Sequence, residues 1–134
     1  MCKRICGIVL ILMAVLLSGC GSSKTPVDLD LSGLEETEVY TKTLRIAQDP
    51  EAYVGQTIRI KGIFSSIHSE AMNRYYYSCV AHDKDGCCTE GLEFILPEGE
   101  KYPEPGDKIT VVGTYAIYEE DGGTYGQLED AILE

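Results

Sequence analysis

The sequence predicts a mainly β domain, a small five-stranded Greek-key barrel with one helix before it. The first observation behind this prediction is an internal repeat. Residues 54–64 and 105–115 share one design: a Gly turn, two β-branched residues two positions apart, a second Gly and an aromatic residue. The second observation is that three more short segments are separated by turn residues. Five short strands, two of them bent, are typical of a small closed barrel.

The repeated segments carry their apolar residues with a period of two, which indicates half-buried strands. In the first copy these residues are Ile58 and Ile60. Gly62 in the first copy and Gly113 in the second interrupt the strand pattern. A glycine inside a strand favours a bulge or a sharp bend, so both strands are predicted to bend midway.

Three further strands are predicted at residues 74–83, 91–96 and 124–133. The dipeptide Asp85-Gly86 marks a hairpin turn between the first two of them. With the repeated pair, these segments complete the five strands of the predicted barrel.

One helix is predicted before the strands, over residues 36–47. Its apolar residues recur at helical spacing at Tyr40, Leu44 and Ala47. Pro50 follows closely, and the residue before a proline disfavours helical backbone angles. The helix is therefore expected to end just before this proline.

The first 19 residues are predicted to be a lipoprotein signal peptide. A basic start is followed by the apolar run 5–17 and then by small residues. Thirteen apolar residues are too few to cross a hydrocarbon core, which needs roughly 20. The segment Leu-Ser-Gly-Cys that ends at Cys20 resembles the bacterial lipobox, which implies a diacylated Cys20 and cleavage just before it. The expected location is the extracytoplasmic face of the cell membrane.

Residues 20–36 are predicted to be a flexible linker between the lipid anchor and the domain. They are rich in Gly, Ser, Thr and acidic residues and have no sustained hydrophobic period. The folded domain is accordingly expected to span residues 37–134.

Three motifs carry a resemblance to a known fold family. They are Gly-x-x-Ile-x-Ile-x-Gly-x-Phe at residues 55–64, Gly-Asp-Lys-Ile-Thr-Val-Val-Gly-x-Tyr at 106–115 and Leu-Glu-Asp-Ala at 128–131. Together they resemble the OB-fold of the tRNA-anticodon-like type. The segments around Cys79, Cys87-Cys88 and Tyr102-Pro103 are more narrowly similar to a group of small bacterial lipoproteins, with a related domain in permease-associated proteins.

The charge of the chain excludes the function that the anticodon-like label implies. The formal net charge is −11, with 22 acidic residues against 11 Lys and Arg. Nucleic acids are bound through Lys and Arg on the phosphate backbone, so no nucleic-acid partner is expected. The sequence also contains no hydrolytic triad, HExxH, phosphate loop or dinucleotide fingerprint. A non-catalytic protein is therefore predicted.

Three cysteines follow the linker, and several arrangements of them stay open. A four-residue hairpin loop puts His82 opposite Cys87, whereas a two-residue turn puts Lys84 there. The first register brings Cys79 and Cys88 close enough for a disulfide. The alternatives are three thiols without a role, or a zinc or copper site formed by Cys79, His82, Cys87 and Cys88.

The predicted function is a membrane-tethered binding module. Tyr75 and Tyr77 share one face of a strand in the region where OB-folds bind ligands. They are the candidate ligand-binding residues, with an envelope protein preferred as the partner over a glycan or small molecule, and with no cofactor. The alternative is a soft-metal lipoprotein that delivers zinc or copper to a permease.

Overall fold

The computed structural model describes residues 25–134. In this part of the chain one α-helix and six strands form the domain, and a short 3₁₀ turn at Pro50–Tyr53 follows the helix. The elements are β1 (Leu29–Asp30), α1 (Glu36–Gln48), β2 (Thr57–Ser69), β3 (Arg74–His82), β4 (Thr89–Phe94), β5 (Lys108–Glu120) and β6 (Gly123–Leu133).

Strands β2 to β6 form a closed five-stranded barrel. The sheet order is β1-β2-β3-β4-β6-β5, and β2 also pairs with β5, which closes the barrel. Strands β4 and β6 run parallel, whereas the other barrel pairs are antiparallel. This connectivity is consistent with an OB-fold barrel and confirms the predicted fold class.

The two copies of the repeated strand design lie side by side at the seam that closes the barrel. Residues 57–63 of β2 pair with residues 108–114 of β5, so that Ile60 is opposite Val111. From Ile63 onward β2 pairs with β3 instead. One long strand thus serves two sides of the barrel.

Both strand glycines lie where the strand packs tightly against a neighbouring backbone, and at Gly113 the predicted irregularity is present. At Gly62 an added Cβ would overlap the carbonyl oxygen of Val80, so only glycine allows β2 to approach β3 this closely. At Gly113 the pairing of β5 with β6 shifts its register, and an added Cβ would come within 2.8 Å of the Leu128 Cβ. These contacts explain why neither strand carries a side chain at this position.

Helix α1 packs on β3 and β4 and ends at Gln48, as Pro50 predicted. Its buried face differs from the predicted one, because Val39, Thr43 and Ile46 face the core while Ala47 is exposed. The hydroxyl of Thr43 donates to the Val39 carbonyl at 3.0 Å. This internal bond satisfies the polar atom, so a threonine can lie in an apolar interface.

The linker prediction is wrong for residues 25–36. Strand β1 runs parallel to β2, the Asp28 N–H donates to the Thr57 carbonyl at 2.8 Å, and Leu31 is buried in the core. Isolated apolar residues without periodicity can still dock when a sheet edge offers them backbone partners. The ordered domain therefore begins before residue 37. The signal peptide and Cys20 lie outside the described residues.

Candidate functional site

A column of aromatic rings runs from the core to the exposed end of the β2–β3 hairpin. The Tyr75 ring stacks on the Tyr77 ring at 6.0 Å, and Tyr77 stacks on Tyr102 at 3.7 Å. Tyr77 also lies 6.1 Å from the buried ring of Phe64. We call these four residues the aromatic column. Tyr75 and Tyr77 share a face, as the alternation along β3 predicted.

The column follows the inward face of the strands and not the outer face of the barrel. Across the β2–β3 ladder Tyr77 is opposite Ser66, and the next inward pair is the buried Phe64 and Cys79. Tyr77 is therefore partly buried against the core, while Tyr75 lies beyond the end of the barrel. Because β2 and β3 continue past the core, the same strand face changes from buried to exposed along its length.

Residues 67–75, which we call the hairpin tip, concentrate exposed apolar side chains. Ile67 is 65% exposed, Tyr75 56% and Met72 40%. The imidazole of His68 lies 4.6 Å from the Tyr75 ring. Ile67 pairs with Tyr76 and so lies on the other face of the hairpin from Tyr75. Both faces of the tip therefore present apolar surface to solvent.

The outer face of β3 and β4 carries a polar network that the sequence analysis missed. The Arg74 guanidinium lies 2.8 Å from Glu93 and 3.3 Å from Glu120, and 4.1 Å above the Tyr76 ring. The Tyr118 hydroxyl donates to Glu93 at 2.6 Å, and the Tyr76 hydroxyl donates to Glu120. Arg74 and Tyr76 share one face of β3, and their carboxylate partners come from β4 and β5.

Burial raises the pKa of Glu93, although Tyr118 and Arg74 partly offset the shift. Beside this residue a groove of about 380 Å³ runs between β3, β4 and the start of β6, with Tyr125 exposed at its edge. A larger open groove of about 660 Å³ lies elsewhere, at the start of α1, and is lined by lysines and glutamates together. Neither groove contains the aromatic column.

The predicted disulfide between Cys79 and Cys88 is wrong, and the hairpin does not have the register that would have brought these two cysteines together. It has the register of the alternative two-residue turn, with Asp83 opposite Cys88, and the Asp83 N–H donates to the Cys88 carbonyl at 3.0 Å. The observed ladder pairs His82 with Thr89, so six residues leave the sheet and Cys87 and Cys88 both lie in the loop. Cys79 is buried in the core opposite Leu92. All three cysteines in residues 25–134 are free thiols. Burial raises the pKa of Cys79 to about 12.

The four residues of the predicted metal site do not come together. The His82 Nδ1 atom lies 2.8 Å from the Glu36 carboxylate, which fastens the start of α1 to the end of β3. Within the described region, the metal-ligand atoms that cluster are those of Asp83, Cys87 and Cys88. No helix in that region is long and apolar enough to cross a membrane.

Comparisons of the chain with protein-family models, with curated proteins and with solved structures found no match. The classification as an OB-type barrel therefore rests on strand order and pairing alone.

Proposed function

We propose that this protein is a membrane-tethered, non-catalytic binding module of the cell envelope that engages a protein partner through the hairpin tip. The observation that carries the proposal is the concentration of exposed apolar side chains at Ile67, Met72 and Tyr75. Exposed apolar patches on soluble domains mark interaction surfaces. Aromatic and Met side chains are enriched in the buried centres of protein interfaces.

The aromatic column supports the tip from below. Tyr75 stacks on Tyr77, which in turn packs on the core, so the exposed ring is held in place before binding. A side chain that is already ordered loses little conformational entropy on binding. The partner expected from the acidic surface, with a net charge of −11, is a protein whose apolar patch is bordered by Lys and Arg.

The proposed tether is supported by the N-terminal sequence pattern and by the position of the first described residue. Thr25 is the first described residue, and its carbonyl accepts a hydrogen bond from Arg59 at 2.8 Å. Four residues lie between it and Cys20, so five peptide links join the two residues and span at most about 18 Å. A lipid on Cys20 would hold the domain close to the membrane surface.

The lipid anchor is tested by Cys20→Ser. Loss of the thiol removes the acylation site, so the variant is expected to move from the membrane fraction to the soluble fraction. If the variant stays in the membrane fraction after a high-salt wash, the lipid is not the tether.

The docking surface is tested by placing a photo-crosslinking amino acid at position 67 in living cells. We expect a discrete adduct with one envelope protein, absent from the matched control at Ile132, which is 44% exposed on β6. That protein, once purified, should bind Ile67→Ala or Tyr75→Ala at least about 10-fold more weakly than the wild type. Equal adducts at positions 67 and 132, or equal affinity of the variants, would refute the proposal.

A further inference from the structure

The loop between β3 and β4 presents two adjacent thiols and a carboxylate to solvent. It comprises residues 83–88, which we call the dithiol loop, and Cys87 and Cys88 are both exposed at its end. The donor atoms of Asp83, Cys87 and Cys88 all lie within 4.8 Å of one another. This site is separate from the hairpin tip.

Two of the three separations between the donor atoms match those in one face of a tetrahedral metal centre, and the third is at most 4.8 Å. The Cys87 and Cys88 Sγ atoms are 3.5 Å apart, and the Cys87 Sγ lies 3.4 Å from the Asp83 Oδ2. With zinc–sulfur bonds near 2.3 Å and a zinc–oxygen bond near 2.0 Å, tetrahedral angles put two sulfurs about 3.8 Å apart and sulfur and oxygen about 3.5 Å apart. Each of the two observed separations is within about 0.3 Å of these values.

The carboxylate is held in the position that the site needs. Its Oδ1 accepts hydrogen bonds from the backbone N–H groups of Cys87 at 2.9 Å and Cys88 at 3.2 Å. The Oδ2 is left to face the thiol. Gly86, with a φ of 68°, allows the loop to turn back so that both cysteines lie over Asp83. The ligand atoms are thus brought together before any ion binds.

We propose that Asp83, Cys87 and Cys88 form a binding site for a thiophilic divalent cation of the zinc type, with a fourth coordination position open to water or to a partner. Thiolate sulfur selects zinc over magnesium and calcium, which prefer oxygen ligands. Binding forms two zinc–sulfur bonds and one zinc–oxygen bond. It breaks two S–H bonds, whose protons go to the buffer, and no electron is transferred.

The test is a calorimetric titration of the reduced full chain, in detergent, with zinc ions alone. Repeating it in buffers of different ionisation enthalpy counts the protons released. We expect one zinc per chain with release of close to two protons, and loss of this binding in the double variant Cys87→Ser/Cys88→Ser. Because that variant keeps every other cysteine, equal binding by it would place zinc elsewhere and overturn the proposal.

Two single variants sharpen the ligand assignment. Asp83→Asn keeps the Oδ1 acceptor for the loop but replaces the ligating oxygen with an amide, so zinc should bind more than about 10-fold more weakly. Cys79→Ala, which removes the buried thiol, should bind zinc as the wild type does. Failure of the reduced wild type to bind zinc overturns the proposal, and undiminished binding by Asp83→Asn removes the carboxylate from the site.

Discussion

Two arginines of this domain each lie between two carboxylates, but in opposite surroundings. The Arg59 side chain is 3% exposed, whereas that of Arg74 is 36% exposed. The same chemical motif therefore occurs once in the interior and once at the surface, and the two sites should contribute differently to the protein.

Arg59 connects the first residues that the structure describes with the end of β6. Its guanidinium lies 2.9 Å from Asp30 and 2.8 Å from Glu134, and it donates to the Thr25 carbonyl. The hydrogen-bonded carboxylate of Glu134 is the main cause that raises the pKa of Arg59, so the side chain stays charged. A charge this buried must keep its partners, because an unpaired ion in the interior is costly.

Arg74 lies on the outer face of β3, with an aromatic ring on either side. The guanidinium carbon of Arg74 lies 4.1 Å from the centroid of the Tyr76 ring and 5.2 Å from that of the Tyr118 ring. The carboxylate partners of Arg74 are Glu93 and Glu120. Solvent screens part of this network, so its contribution to stability should be smaller. The comparison teaches that burial, and not the number of ion pairs, decides how much such a motif contributes.

The largest effect is expected for Arg59→Ala. The change removes the cation that balances Asp30 and Glu134 and that holds the N-terminal segment on β2. We expect Tm to fall by about 15 °C in a thermal unfolding scan. A fall no greater than that of Arg74→Ala would contradict the distinction between the two sites.

A smaller effect is expected for Arg74→Ala, the matched change at the exposed site. Since about a third of the side chain is already in water, Tm should fall by about 5 °C. High salt screens exposed ion pairs, so it should lower the Tm of the wild-type protein toward the Tm of Arg74→Ala. Salt-independent melting of the wild type would show that the network contributes little.

The two sites should also respond to acid with opposite signs. The hydrogen bond from the Ser32 hydroxyl, with Arg59 also contributing, lowers the pKa of Asp30 below its ordinary 3.8. This stabilisation is present above about pH 4 and is lost as the pH falls through the folded-state pKa. Burial raises the pKa of Glu93 above its ordinary 4.5, so its contribution is full below that pH and is lost as the pH rises through the raised pKa.

Urea unfolding of Asp30→Asn and Glu93→Gln between about pH 7 and about pH 3 measures both effects. As the pH falls, the stability advantage of the wild type over Asp30→Asn should shrink. Over the same fall in pH, the free energy of unfolding of the wild type should rise relative to that of Glu93→Gln. Parallel curves for both variants would mean that neither pKa differs between the folded and unfolded states.

The smallest effect is expected for Tyr76→Phe, which removes only the hydroxyl that donates to Glu120. Tm should fall by about 2–4 °C, the scale of one side-chain hydrogen bond. Tyr75→Phe serves as the control, because that exposed ring stacks on Tyr77 through its face. Equal shifts for the two variants would indicate that the Glu120 bond adds nothing.

The sequence by itself determined the strands and the helix, because these depend on local patterns. The period of two in the repeated segments, Pro50 after α1, and the glycines at positions 62 and 113 each act within a few residues. The predicted five-stranded barrel followed from these signals. The choice of Tyr75 and Tyr77 as one face was local as well.

Only the tertiary structure decided which residues meet across the barrel. Arg59 binds Asp30 and Glu134, and Arg74 binds Glu93 and Glu120, from strands that are far apart in sequence. The six-residue loop that joins Asp83 to the two thiols, and the docking of residues 25–35, depend in the same way on register and edge pairing. A shift of one residue in register moves each side chain to the other face, and local periodicity does not choose among registers.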